Sequence, residues 1–80
     1  MKIAKKKLAE DLTVEYVLKK EGAEYAMQCI ALNENGEKTD EARVQEITPN
    51  ESIALEIFDK VYSGGVTPCT LTDVIADLLS

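Results

Sequence analysis

Residues 12–32 read LTVEYVLKKEGAEYAMQCIAL. Leu12, Val14, Tyr16 and Leu18 alternate with Thr13, Glu15 and Lys19, and Tyr25, Met27, Cys29 and Ala31 repeat the alternation. Apolar residues at every second position share one face of a pleated strand, so both runs read as half-buried strands. Glu21-Gly22 between them reads as a turn. A two- or four-residue loop centred there sets Leu18 against Tyr25, Tyr16 against Met27, Val14 against Cys29 and Leu12 against Ala31, all on one apolar face. A three-residue loop with Gly22 as a bulge opposes Val14 to Gln28 and Leu18 to Glu24. That breaks the face, because a one-residue slip turns a strand over.

Working outward, Asn35-Gly36 is a hairpin signal, since both residues tolerate positive φ. It predicts a third strand over Thr39–Ile47, with Met27 facing Val44, Cys29 facing Ala42, Gln28 beside Arg43 and Ile30 beside Glu41. The second face is therefore expected to be largely wet. Lys2–Ala9 can add a short fourth strand, although its apolar residues are too sparse to set a register. After Ile47 the period changes. Thr48-Pro49-Asn50-Glu51 predicts an N-cap, a first-turn proline and a glutamate three after the cap. Ile53, Ala54, Ile57, Phe58 and Val61 recur at helical spacing, and Gly64-Gly65 ends that helix. A second helix starts between Thr67-Pro68 and Thr70, where Thr70 with Asp73 is a candidate capping pair. Its stripe is Leu71, Val74, Ile75, Leu78 and Leu79. The expectation is an α+β domain over residues 1–80: a three-stranded antiparallel meander, four-stranded if Lys2–Ala9 joins, with two helices packed on one face.

With 80 residues there is room for one core. Hydrophobic residues are 45% and charged residues 30%, which excludes a disordered tail or a collagen-like fibre. No apolar run approaches the roughly 20 residues of a membrane span. Residues 1–20 hold six lysines against three acids, a balance of +3; residues 21–80 hold three basic against twelve acidic residues, a balance of −9; together they make the net −6. An acidic body repels nucleic-acid phosphates. Lys5-Lys6-Lys7 carries no interleaved aromatic for base stacking, so a solvated or edge-blunting cluster is expected there, with nucleic-acid binding as the alternative. No apolar region follows Lys2, so no signal peptide is expected. The two cysteines, Cys29 and Cys69, make no disulfide framework, and a cytoplasmic protein with free thiols is expected.

The stretch GGVTPCTLTDVIADLL, residues 64–79, resembles the ending of a small bacterial family of unknown function, V-[ST]-P-x-x-L-x-D-V-[VI]-x-D-x-L. Val66, Thr67, Pro68, Leu71, Asp73, Val74, Ile75, Asp77 and Leu79 match it. Thr70 stands where that family often has histidine. The resemblance covers nearly the whole chain in plan and implies a strand meander, a helix and then this stretch; it implies no activity.

Catalytic and metal-binding constellations are thin. There is no histidine, which removes the commonest general base and metal ligand. Cys69, near a helix start, has no partnering base and no C-x-x-C neighbour, so packing or capping is its expected role. The oxygen-rich segment Asn33–Glu41 fails as an EF-hand loop, because Ala31 and Ala42 stand at the carboxylate positions 1 and 12. Asp73 and Asp77, four apart on a helix, read as a solvated face. No catalytic residue, metal or cofactor is expected. What remains is an interaction surface at Leu55, Tyr62 and Leu79, which exceed what one helical stripe can use, and a two-fold homodimer or an unknown protein as the partner. The competing reading is that Leu55 and Tyr62 widen the core stripe. An edge strand offers a second route to self-association by sheet extension, with the N-terminal lysines blocking one edge.

Overall fold

The alternation over Leu12–Leu32 becomes two long strands, β2 (Leu12–Glu21) and β3 (Glu24–Leu32), flanked by β1 (Lys2–Ala9) and β4 (Lys38–Thr48). The computed structural model describes residues 1–80. The four strands form one antiparallel sheet in the order β1-β2-β3-β4. Helix α1 (Glu51–Ser63) and helix α2 (Leu71–Leu79) follow, the second preceded by a 3-10 turn at Pro68–Thr70. The chain is thus α+β, and Lys2–Ala9 does supply the fourth strand.

The expected β2–β3 pairing is displaced by two residues. Leu18 faces Met27, Tyr16 faces Cys29 and Val14 faces Ala31, while Glu21 faces Glu24 across the turn. The tip is therefore Gly22-Ala23, with Gly22 at φ +64. Glycine belongs at the first central position of a II′ hairpin turn, which moves the centre one residue past Glu21-Gly22. A shift of two preserves the side-chain parity, so the apolar face survives.

The β3–β4 register is as expected, with Met27 facing Val44, Gln28 facing Arg43, Cys29 facing Ala42 and Ile30 facing Glu41. Its loop is not a two-residue turn, however. Residues 33–37 close it, Gly36 alone takes a positive φ (+79), and the Asn33 side-chain oxygen accepts the N–H groups of Asn35 and Glu37, each at 2.9 Å. An irregularity between Ala31 and Leu32 absorbs the longer loop. At the far end Tyr25 faces Thr48, so β4 holds two extra residues between Val44 and Thr48, and Glu46 there adopts φ 53.

The start of α1 also differs from expectation. Asn50 caps it, accepting the Ile53 N–H at 3.0 Å, while the Thr48 hydroxyl accepts the Asn50 N–H. Thr48 is still the last residue of β4, so the cap falls two positions later than the Thr48-Pro49 reading. The helix ends as a Schellman turn: Gly65, at φ +60, donates to Tyr62 O and Val66 donates to Val61 O. The expected Thr70–Asp73 capping pair does not form; the Thr70 hydroxyl turns back to Thr67 O at 3.3 Å.

One core cluster joins the sheet to both helices: Val14, Tyr16, Leu18, Met27 and Cys29 from β2 and β3, Ile47 from β4, Ala54, Ile57, Phe58 and Val61 from α1, and Leu71 and Ile75 from α2. Val44, Val74 and Leu78, expected inside, are half-buried at its margin. Ile53, expected in the α1 stripe, is 44% exposed, because the buried face runs through Ala54, Ile57, Phe58 and Val61 and Ile53 lies to one side of it. On the second face Val17 and Ala26 are buried between the longer side chains of neighbouring positions, although most of that face is polar.

Leu71 is fully buried. Leu71→Ala is expected to cost about 2–5 kcal/mol, measured by urea unfolding. Gly65→Ala is expected to lower the same midpoint, because its Cβ would stand 3.1 Å from Leu8 Cδ2 on a left-handed backbone.

Candidate functional site

Tyr16 and Cys29 are cross-strand partners on the covered face of the sheet. Side by side, both reach the same acceptor. The Tyr16 hydroxyl donates to Val66 O at 2.7 Å, and the Cys29 thiol donates to it at 3.6 Å. Val66 follows directly on the Schellman turn, so its carbonyl lies where α1 has ended and the 3-10 turn has not begun. The Tyr62 ring meets Tyr16 edge-on, with centroids 5.7 Å apart. Burial, chiefly, pushes the Tyr16 phenol up to about 12, with Cys29 and Tyr62 adding to it. Burial likewise pushes the Cys29 thiol up to about 12, helped by Asp40 and Cys69. Both groups are protonated donors at neutral pH, suited to tying the sheet to the interhelical corner and unsuited to nucleophilic attack.

The N-terminal lysines are engaged within the fold. The Lys6 ammonium donates to Tyr62 O at 3.0 Å and to Ser63 O at 3.2 Å, and lies 5.1 Å from the centre of the Tyr62 ring. It therefore sits at the negative end of α1, whose last carbonyls lack helical donors. Lys2 pairs with Asp59 at 3.3 Å and lies 5.0 Å from the centre of the Phe58 ring. Lys5 pairs with Glu15 and Lys7 with Glu10. The lysine cluster is visible in the sequence, but this role is not. The signal was its alternation: Lys2 and Lys6 share the helix side of β1, where a lysine needs something to reach.

Of the expected interaction residues, Leu55 and Leu79 are 38% and 48% exposed. Tyr62 is half-buried, held by Tyr16 and Lys6, with its hydroxyl 3.5 Å from Lys5 O. The structure does not gather the three into one cluster with mutual contacts of this kind. Leu55 instead borders a shallow concavity of about 240 Å³ with Met1, Leu18 and Tyr25, rimmed by Lys2, Lys20 and Glu51. The Tyr25 hydroxyl donates to Glu51 at 3.2 Å across it. The exposed Ile53 is the apolar residue that the periodicity had placed inside.

The remaining candidates stay separate. Cys69 is exposed, with Thr67 Oγ1 at 3.4 Å. Asp73 and Asp77 join no group of three or more metal-ligating side chains. The Asn33 oxygen is spent on backbone N–H groups, so the loop is closed by its own amides. No helix is long and apolar enough to cross a membrane.

A four-stranded meander covered by two helices, with its polar core groups tied to one carbonyl, is the class of domain that these observations define. The chain belongs to a family of unknown function, DUF6514, whose match runs over residues 2–80. Comparison with curated proteins and with solved structures found no match.

The raised values of Tyr16 and Cys29 set a sign for pH dependence. Each favours its protonated form in the folded state, so its contribution is complete below the unfolded value and is lost as pH rises toward about 12. Stability is expected to fall over that alkaline window, with Tyr16 ionising later than an exposed tyrosine in an ultraviolet titration. At neutral pH, iodoacetamide is expected to label Cys69 and spare Cys29 until the protein is unfolded, as mass spectrometry of the labelled peptides would show.

Proposed function

We propose that this protein is a small cytoplasmic interaction or regulatory protein that acts by binding another protein, without catalysis of its own. The observation that carries the reading is the accessible apolar side chain of Leu55, 38% exposed on α1 at the edge of a concavity that Met1, Leu18 and Tyr25 also line. Apolar side chains around a concave, charge-rimmed patch favour a protein surface as the ligand. The absence of catalysis is supported by the commitment of Tyr16 and Cys29 to Val66 O as protonated donors. The cytoplasmic assignment is supported by two free thiols, one of them exposed.

Nucleic-acid binding through the N-terminal lysines is the second reading. It is disfavoured because Lys2, Lys5 and Lys7 are paired with carboxylates and Lys6 is bound to helix carbonyls. Phosphate contacts would have to displace these partners.

Affinity capture from the native host, comparing wild type with a Leu55→Asp variant of unchanged circular dichroism, tests the proposal. The expected result is a protein retained by wild type and lost from the variant. Recovery of no protein above background, or equal recovery by both, would overturn the assignment to this surface. A gel shift at low salt that disappears in Lys5→Ala/Lys7→Ala would replace it with the nucleic-acid reading.

A further inference from the structure

A meander leaves two open edges, and these edges are treated differently. On β1, the Lys5 carbonyl lies beside the Tyr62 hydroxyl, and four lysines line the strand. On β4, residues 38–45 are exposed apart from the half-buried Ala42 and Val44. Long uncovered edges are templates for pairing with another strand.

The hydrogen-bond alternation shows which β4 groups face outward. Glu21 and Glu24 flank a two-residue turn, so the even-numbered residues of β3 bond to β2 and the odd-numbered ones to β4. Ala31 faces Asp40, and Ala31 O also receives the Thr39 hydroxyl at 3.4 Å, consistent with that count. Asp40, Ala42 and Val44 therefore bond inward, while Thr39, Glu41, Arg43 and Gln45 turn their N–H and C=O groups to the open edge. The Glu41 N–H fits this, being met by the Asp40 carboxylate at 2.9 Å.

We propose that β4 pairs antiparallel with β4 of a second copy about a two-fold axis through Ala42, joining the two sheets into one of eight strands. Only residues with outward groups can be bonded opposite one another, and the charges choose among the registers. With Ala42 on the axis, Glu41 faces Arg43 of the second copy and Arg43 faces its Glu41, while Thr39 and Gln45 pair at the ends. An axis through Glu41 sets glutamate against glutamate, and an axis through Arg43 sets arginine against arginine; like charges directly opposite are unfavourable. Within one chain Arg43 already pairs with Glu21, and Glu41 with Lys38. The joined sheet thus carries alternating charges across the seam. The same pairing of β1 would bring its lysines together. Helix α2 packs beneath β4, so the two copies of α2 flank the axis on one side of the joined sheet, carrying Val74, Leu78 and the exposed Leu79. A symmetric, closed contact of this kind is the commonest way for a soluble chain to self-associate.

The proposal concerns a different surface from the interaction reading above, so the two fail separately. Sedimentation equilibrium over a concentration series is the test, on wild type, Glu41→Arg, Arg43→Glu and their equimolar mixture. Wild type is expected to dimerise, and each single variant to dissociate about tenfold or more readily, because like charges then face each other twice. The mixture is expected to recover a dimer, since one variant then presents two acidic side chains at positions 41 and 43 and the other presents two basic ones; recovery also shows that both variants are folded. Leu55→Asp is expected to leave the dimer intact. A wild type that stays monomeric throughout, a dimer indifferent to both charge reversals, variants that fail to recover on mixing, or a dimer lost on Leu55→Asp would each overturn the proposal. A monomeric wild type leaves the capture result at Leu55 untouched.

Discussion

The Val66 carbonyl is the point on which the two layers meet. It leaves a Schellman turn, lies against the centre of the sheet, and cannot be bonded by either helix. A buried backbone acceptor without a partner costs free energy comparable to a lost hydrogen bond. Tyr16 and Cys29 supply partners from adjacent strands, at 2.7 Å and 3.6 Å. Val66 is half-buried, and pairing its carbonyl this way requires β2 and β3 to be in register, α1 to stop at Gly64, and the chain to turn within two residues. Sheet register and helix end are therefore coupled through one atom. No buried side-chain nitrogen or oxygen is left without a hydrogen-bond partner around it.

A second tie runs along the edge of the sheet. Lys6 closes the end of α1, Lys2 reaches Asp59 and the Phe58 ring, and the Tyr62 hydroxyl approaches the Lys5 carbonyl. These contacts use the cationic N-terminus to hold an otherwise acidic chain together. Exposed ion pairs are individually weak, of the order of 1 kcal/mol or less. The Lys6 site gains from two carbonyls, an aromatic face and the helix dipole acting at one position. The lysines also distinguish the two edges: β1 is charged with one sign and partly covered, whereas β4 is mixed in sign and open.

The differences between expectation and structure have local causes. The face of β2 and β3 was readable because parity is insensitive to a shift of two, so the pairing could move from Tyr16–Met27 to Tyr16–Cys29 with the same residues inside. The turn centre depended on whether Gly22 was the first or second central residue, which depends on backbone dihedrals rather than hydropathy. The β3–β4 register was recovered through the wrong loop, because an irregularity at Ala31 compensated for the longer connection. The cap of α1 moved to Asn50 because Thr48 still belonged to the sheet. Leu55 and Leu79 were readable as surplus apolar residues, but Tyr62 was drawn inward by Tyr16, a contact between residues 46 positions apart in sequence.

Sequence alone determined the class of fold, the strand faces, the approximate helices and the absence of histidine, because each follows from periodicity, turn chemistry or residue type within a short window. Tertiary structure alone decided the tasks of the polar residues. Lys6, Tyr16, Cys29 and Tyr62 acquire their partners only when β1, β2, β3 and the end of α1 come together, and hydrogen bonds across 37 to 56 residues leave no periodic trace in the chain. The contrast between a tied edge at β1 and an open edge at β4 is likewise a property of the assembled sheet, since a strand becomes an edge only through the order in which its neighbours pair.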